Sequence, residues 1–297
     1  MTDPDGVEPS QVNLSIVHSG DAGQSFHVVT DTGSRLLSSV PLAWESEFFG
    51  RSMRRVDLVR PVHTATLAEW LRGVDATLAD HDARGVAITQ MNLDFQSFQL
   101  LGQLERRGFR SVDTRVAFVT LISPDRTPDR EPPFGAVVDL APAHLDDVLA
   151  LVRTGFSRNP RFQSRFKNLD WFTQADADRY FEAWIRNTVD AAGTLGAVWT
   201  HEGQTLGFFL YQRSENRDGI PQYKGVLAAV VPEYQGNSAH LFLQSYLYTR
   251  MPDQVWLDNT TQLTNTATIR NHMESGKRLD ALSIVLYRSG VEGSEGM

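Results

Sequence analysis

Val230-Val231-Pro232-Glu233-Tyr234-Gln235-Gly236-Asn237-Ser238-Ala239-His240 joins a small-residue and β-branched run, Gly225 to Val231, directly to an amphipathic stretch from Ser238 to about Thr249. A strand that enters a helix through such a turn leaves the first helical N–H groups unpaired. Together with the positive end of the helix dipole they favour a phosphate or pyrophosphate without any Lys or Arg. Gly236 lets the backbone approach closely. The segment predicts an anion cradle, although an ordinary strand-to-helix connection carries the same loose pattern.

Outward from this turn the chain alternates helix and strand patterns. Downstream, Val255 to Asp258 reads as a strand, Asn265 to Glu274 as a helix and Ala281 to Tyr287 as the last strand. Upstream, Ala197 to Thr200 and Leu206 to Gln212 flank the turn His201-Glu202-Gly203-Gln204 as a hairpin. Tyr180, Phe181, Trp184, Ile185 and Val189 share one helical face, Leu145 to Val152 marks a helix begun near Pro142, and Ala136 to Leu140 is a strand. Four prolines with interleaved charges between Ser123 and Gly135 predict a linker over 123–135. Before it, Thr66 and Glu69 have capping-box spacing for a helix carrying Leu67, Trp70, Leu71, Val74 and Leu78 and stopping near Gly85. Val86 to Met91 reads as a strand, Phe95 to Arg107 as a helix and Val116 to Ile122 as a strand. The expected organisation is a tail over 1–10, an N-terminal α/β domain over 11–122, the linker, a second domain over 136–288 and a tail over 289–297. The helix-Gly-strand layout at Leu104 to Gly108 returns at His272 to Gly276, so the two halves read as versions of one fold.

Composition narrows the chemistry. The 297 residues carry 28 Lys and Arg against 36 Asp and Glu, a net charge of -8 with no basic block, which disfavours nucleic acid as a partner. There is no cysteine, so disulfides, thiolate metal ligands and a Cys nucleophile are excluded. The eight histidines form no H-E-x-x-H pattern, and no metal is expected. Neither a signal peptide nor an apolar run of membrane-spanning length is present, so no membrane association and a cytoplasmic location are expected.

The order of elements after the linker, with Val230, Pro232 and Gln235, resembles GNAT-type N-acetyltransferases and their motif V-x-P-x-x-(Q/R)-x-x-G-x-(G/A). Ser238 stands for the usual Gly, and His240 for the usual Gly or Ala. Three further stretches resemble the TDP-fucosamine acetyltransferase branch, which acts on nucleotide-linked amino sugars. These are Trp44-Glu45-Ser46-Glu47-Phe48-Phe49-Gly50, the aromatic and basic run from Phe156 to Ile185, and the end from Asn265-Thr266-Ala267 through Gly276 to Arg288. The resemblance implies an α/β fold with a mixed α+β sheet, GNAT-like in the second half and preceded by a smaller, degenerate GNAT-like half. It also implies acetyl-CoA as co-substrate and transfer of acetyl directly to a small-molecule amine.

On this reading the cofactor contacts fall on Ala229, Val230, Val231, Gln235, Gly236, Asn237, Ser238, Ala239, His240 and Asn265. Outward backbone N–H groups from Leu227 to Val230 would receive the thioester oxygen. The resemblance aligns His272 with the tyrosine that protonates the departing thiolate. A histidine needs a raised pKa for that task, and a packing role is equally open to it. Tyr246 and Tyr248 are fallback donors, and no amine base is evident, Glu182 and Asp170 being ordinary acidic residues of the acceptor region. Trp44, Phe48 and Phe49 would wall a sugar or staple the N-terminal half in place. Arg161, Arg165 and Lys167 would meet a diphosphate, and Trp171 would stack on a base or sugar. The acceptor readings are a nucleotide-linked amino-dideoxy sugar, or else an amino acid, peptide or small amine. A catalytically degenerate CoA-binding scaffold is the non-enzymatic alternative.

Overall fold

A computed structural model describes residues 14–19, 25–30, 35–59, 66–123, 130–162, 164–236 and 238–290. The chain forms two compact units. One comprises Met1–Val112 with Ser283–Met297, the other Asp113–Leu282. The division therefore does not fall in the Pro-rich stretch at 123–135, of which 124–129 lie outside the described residues, as do the tails at 1–10 and 291–297.

The first unit is built from β1 (Leu14–Ser19), β2 (Ser25–Thr30), β3 (Arg35–Pro41), α1 (Ala43–Phe49), β4 (Met53–Leu58), α2 (Leu67–Ala83), β5 (Ile88–Asp94) and α3 (Leu101–Glu105). β1 to β4 pair antiparallel in succession, and β4 pairs β5 in parallel from Met53↔Ile88 to Val56↔Met91. α2 is the connection between those two parallel strands. Its predicted capping box is present, with Thr66 Oγ1 accepting from the Glu69 N–H at 3.2 Å and Glu69 Oε2 accepting from the Thr66 N–H at 2.6 Å. Trp70, Val74 and Leu78 are buried against β-strand residues such as Phe26, Val28 and Leu37, whereas Leu67 is exposed. The expected helix from Phe95 to Arg107 is instead a 3-10 turn, Phe95–Leu100, followed by α3. Asp94 caps it through the Gln96 N–H at 2.8 Å, and Ser97 leaves helical geometry.

The second unit runs β6 (Arg110–Ile122), β7 (Ala136–Asp139), α4 (Leu145–Val152), α5 (Arg165–Asn168), α6 (Gln174–Asp190), β8 (Thr194–His201), β9 (Gln204–Arg217), β10 (Ile220–Val230), α7 (Ala239–Tyr248), β11 (Val255–Gln262), α8 (Thr266–Glu274) and the start of β12 (Arg278–Ser289). β7 to β10 pair antiparallel in order, and β10 pairs β11 in parallel. The β8–β9 turn at Glu202-Gly203 is the predicted one. Asp218-Gly219, both at positive φ, closes a second tight hairpin between β9 and β10.

Each unit takes its last strand from beyond the other's final helix. β6 follows α3 but pairs antiparallel with β11, from Ile122↔Val255 to Arg115↔Gln262. β12 follows α8 but pairs antiparallel with β5, from Ser283↔Asp94 to Ser289↔Ile88. The repeat seen in the sequence is thus one of fold: antiparallel strands, a parallel crossover through a helix, a second helix, a last strand. The two copies also end their second helix alike. Gly108 and Gly276 sit at φ +85° and +76°, and the N–H of the following residue reaches back five residues, Phe109 to the Leu104 carbonyl at 3.1 Å and Lys277 to the His272 carbonyl at 3.0 Å.

His81 anchors a buried polar knot in the first unit. Its ring nitrogens lie 2.8 Å from Ser39 Oγ and 2.8 Å from Thr89 Oγ1, and Arg54 Nε donates to Ser39 Oγ at 2.9 Å. Burial, and then the Arg54 charge, lower its pKa from 6.5 to about 4. A histidine depressed in this way is neutral in the fold and protonated in the unfolded chain. Its contribution is complete above pH 6.5 and is lost as pH falls toward 4, by about 3 kcal/mol. Denaturant unfolding at pH 7 and pH 4.5 should show a loss of that order in this unit, and His81→Gln should flatten the slope. Equal pH slopes for both proteins would remove His81 as the cause.

Candidate active site

The parallel pairing of β10 with β11 stops early. It runs from Gln222↔Trp256 to Gly225↔Asn259, while β10 continues paired with β9 as far as Val230↔Gly207. At the last paired position the side chain of Asn259 leaves no room on β10: a Cβ at Gly225 would meet Asn259 Nδ2 at 2.1 Å. The β9 register slips between Gly225 and Leu227, a bulge that redirects the strand where the pairing ends. From Val226 to Val230 five apolar residues in a row are only half-buried.

Alternation fixes which groups face the gap. Val231 donates to the Leu206 carbonyl at 2.8 Å, so odd-numbered residues here bond to β9, and the N–H groups of Ala228 and Val230 point to the open edge. The Val230 carbonyl on that edge accepts from Gln235 Nε2 at 3.3 Å. Gln235 thus closes the strand end from its own turn. On the other flank the π-helical turn Arg153–Ser157 lies against β10, where a Cβ at Gly155 would meet Ala229 Cβ at 3.3 Å.

Beyond the strand, Pro232–Tyr234 forms one 3-10 turn. Gly236 follows at φ +91° with open space around its Cβ position, and Ser238 caps α7 in the left-handed region at φ +58° without a side-chain cap. The first N–H with a helical acceptor is that of Leu241, to the Ser238 carbonyl at 2.8 Å. The N–H groups of Gly236, Ser238, Ala239 and His240 precede it at the positive end of the helix. Asn237 lies outside the described residues.

Behind the gap lies a connected polar network. Asn259 Oδ1 accepts from Lys277 Nζ at 2.8 Å and from Tyr211 Oη at 3.1 Å. Gln244 Nε2 donates to Tyr211 Oη at 3.1 Å and to His240 Nε2 at 2.9 Å, while its Oε1 accepts from Tyr248 Oη at 3.1 Å. Lys277 Nζ also reaches His272 Nδ1 at 3.3 Å, and His272 packs on His240 and Phe118 with ring centroids 4.9 and 5.1 Å apart. Burial pushes the Lys277 amine and both histidines well below their ordinary values. Burial likewise raises Tyr211 and Tyr248.

His272 is 2% exposed, so the raised pKa that a protonated acid requires there is the opposite of what its surroundings impose. Of the fallback donors, Tyr248 is buried in the network, while Tyr246 donates to Asp139 at 3.1 Å beside Arg250. Asn265 caps α8 through the Thr268 N–H at 3.2 Å. Arg161, Arg165 and Lys167 do not form one exposed cationic loop. Arg161 is exposed, Arg165 opens α5 and is buried with its guanidinium over the rings of Tyr180 and Phe172, and Lys167 donates to the Asn159 carbonyl. Trp171 is half-buried and Asp170 exposed, each in the turn before α6. Trp44, Phe48 and Phe49 stack in sequence on α1 of the first unit, all half-buried. Glu182 is held by Arg153 and Arg186 at 2.9 and 3.1 Å, which lowers its pKa and removes it as a base. Among the described residues no group of three His, Asp or Glu could hold a metal, and no helix is long and apolar enough to cross a membrane.

The sequence matches no family model and no curated protein. The structure is similar to a GCN5-related N-acetyltransferase from Sphaerobacter thermophilus, with 18% identity, a TM-score of 0.55, and coverage of 91% of this chain and 83% of that one. It is also similar to a conserved protein of unknown function from Staphylococcus epidermidis, with 11% identity, a TM-score of 0.56, and coverage of 81% and 85%. At these identities the likeness is one of fold: a mixed α/β sheet of the GCN5-related N-acetyltransferase type.

Ser238 occupies a conformation that glycine adopts without steric cost, so Ser238→Gly should raise stability by roughly 0.5 to 1 kcal/mol, the relief of left-handed strain less the added freedom of the unfolded chain. Denaturant titration checks this, and a loss of stability would show that the serine side chain holds the turn.

Proposed function

We propose that the chain is an acetyl-CoA-dependent N-acetyltransferase that passes acetyl directly from the thioester to the amine of a small molecule. The open edge of β10 beyond Gly225, leading into the unpaired N–H groups at the start of α7, is the observation that carries it. The N–H of Gly236 and of Ser238 to His240 would receive the pyrophosphate, and the N–H groups of Ala228 and Val230 suit the pantetheine and the thioester oxygen. A strand paired on both sides could not offer the last two. The amine attacks the carbonyl carbon, the carbonyl electrons move onto oxygen, and the adduct collapses with loss of the thiolate. The proton shed by nitrogen leaves to water.

The acceptor proposed first is a nucleotide-linked amino-dideoxy sugar, on the strength of the sequence resemblance at Trp44 to Gly50 and Phe156 to Ile185. Arg161 is its best-placed diphosphate contact by exposure, whereas Arg165 serves through packing. The second reading, an amino acid, peptide or small amine, keeps the same donor site. A cytoplasmic location belongs to the proposal in either form.

Two measurements test this. Gly236→Val places a β-branched residue at φ +91°, which forces the turn to reshape, and should weaken CoA affinity at least tenfold by calorimetry, of order 1.4 kcal/mol. Unchanged affinity would sink the donor site. Turnover against a panel of amines should be highest for a nucleotide-linked amino sugar, with Arg161→Ala raising its KM and not that of acetyl-CoA. Acetylation of free amino acids with none of the sugar would promote the second reading, and CoA binding without turnover of any amine would leave a scaffold.

A further inference from the structure

The two copies of the fold end their second helix with the same left-handed glycine and the same backward hydrogen bond. They differ in the side chains this motif brings together. Such a cap commonly closes on an apolar contact between the residue after the glycine and the residue three from the helix end. In the first unit these positions hold Phe109 and Leu104, 2% and 0% exposed. In the second they hold Lys277 and His272, just as deeply buried, with Lys277 Nζ 3.3 Å from His272 Nδ1. Two titratable groups have taken the place of an apolar staple, at a desolvation cost that the apolar pair avoids.

Hydrogen-bond accounting suits an uncharged pair. The amine has two acceptors, Asn259 Oδ1 and His272 Nδ1, which match the two hydrogens of a neutral NH₂; an ammonium would carry a third with no acceptor. The groups facing the pair are Asn259 from β11, His240 from α7 and Phe118 from β6. Tyr211 from β9 lies behind Asn259, and Tyr248 from α7 behind Gln244. The charge of Asp258 acts on Tyr211. With the amine as the donor in its 3.3 Å contact with Nδ1, the imidazole carries its own proton on Nε2.

We propose that Lys277 is a positioning residue that locks His272 as a neutral Nε2–H donor for the reaction at the β10 gap. Resting on the acetyl-transfer reading, this replaces a proton-transferring acid with a fixed hydrogen-bond donor. As the C–S bond breaks and its electron pair moves onto sulfur, His272 donates a hydrogen bond and keeps its proton. The thiolate takes its proton from water afterwards and leaves as the thiol. His240, at the start of α7, links the locked ring to the cradle.

Lys277→Met restores an apolar side chain at the staple and tests the lock in the full chain. In the wild type, ¹⁵N NMR should show His272 as the Nε2–H tautomer without titration between pH 5.5 and 8.5. In Lys277→Met the tautomer preference should be lost, while burial keeps the ring neutral over the same range. Thermal stability should rise, and kcat should fall at least tenfold with KM for acetyl-CoA within twofold. A merely structural lysine predicts lower stability with an unchanged tautomer, and that result overturns the proposal, as does a wild-type His272 that titrates or an unchanged kcat. A wild-type chain that neither binds nor turns over acetyl-CoA defeats the acetyl-transfer reading, even where NMR finds the lock intact. Turnover with an unlocked His272 defeats this inference alone.

Discussion

Backbone hydrogen bonding between β10 and β11 ends at Gly225↔Asn259, and the proposed chemistry depends on that ending. Buried peptide groups are almost always paired, so a strand that leaves its neighbour in mid-course must either face a ligand or find substitutes. Here both occur. The Val230 carbonyl is satisfied from its own turn by Gln235, while the N–H groups of Ala228 and Val230 are left toward the gap. A single close contact, Asn259 against the bare backbone of Gly225, sets the point of separation. It ties the amide that ends the pairing to the one that holds Lys277.

The second consequence is energetic. The ground beside the gap is buried and polar: among the described residues Tyr211, Gln244, Asn259, Lys277 and the two histidines bond to one another without a carboxylate. Fully connected networks of this kind fix geometry but cost stability relative to an apolar core. The first unit, with Leu104 and Phe109 at the matching cap, shows that the fold closes without such groups. Its own buried histidine, His81, is instead satisfied by two hydroxyls.

Much of this was legible in the sequence because it rests on local chemistry. The capping box at Thr66 and Glu69, the turn at Glu202-Gly203 and the strand-to-helix junction at Val230 to His240 are short-range patterns with short-range causes. Phe26, Val28 and Thr30 alternate as a half-buried strand should, yet β1 to β4 escaped notice because the runs are short and rich in Ser, His and Arg. Asp218-Gly219 is an equally plain hairpin signal, and it would have extended β9 and β10 to their full length. The exchange of last strands could not be read locally, since nothing in Val116 to Ile122 or Ala281 to Tyr287 specifies which sheet receives them. Lys277 escaped for a similar reason: one lysine after a glycine reads as solvated until Asn259, eighteen residues earlier, is seen to meet it.

The central claim is that the open edge of β10 and the start of α7 together form the donor site. Amide hydrogen exchange with and without acetyl-CoA tests it directly, because it reads the backbone groups that would make the contacts. The account predicts that protection on binding concentrates at Ala228, Val230, Gly236, Ser238, Ala239 and His240. Binding that leaves these amides unprotected, or protects a different surface, would contradict it.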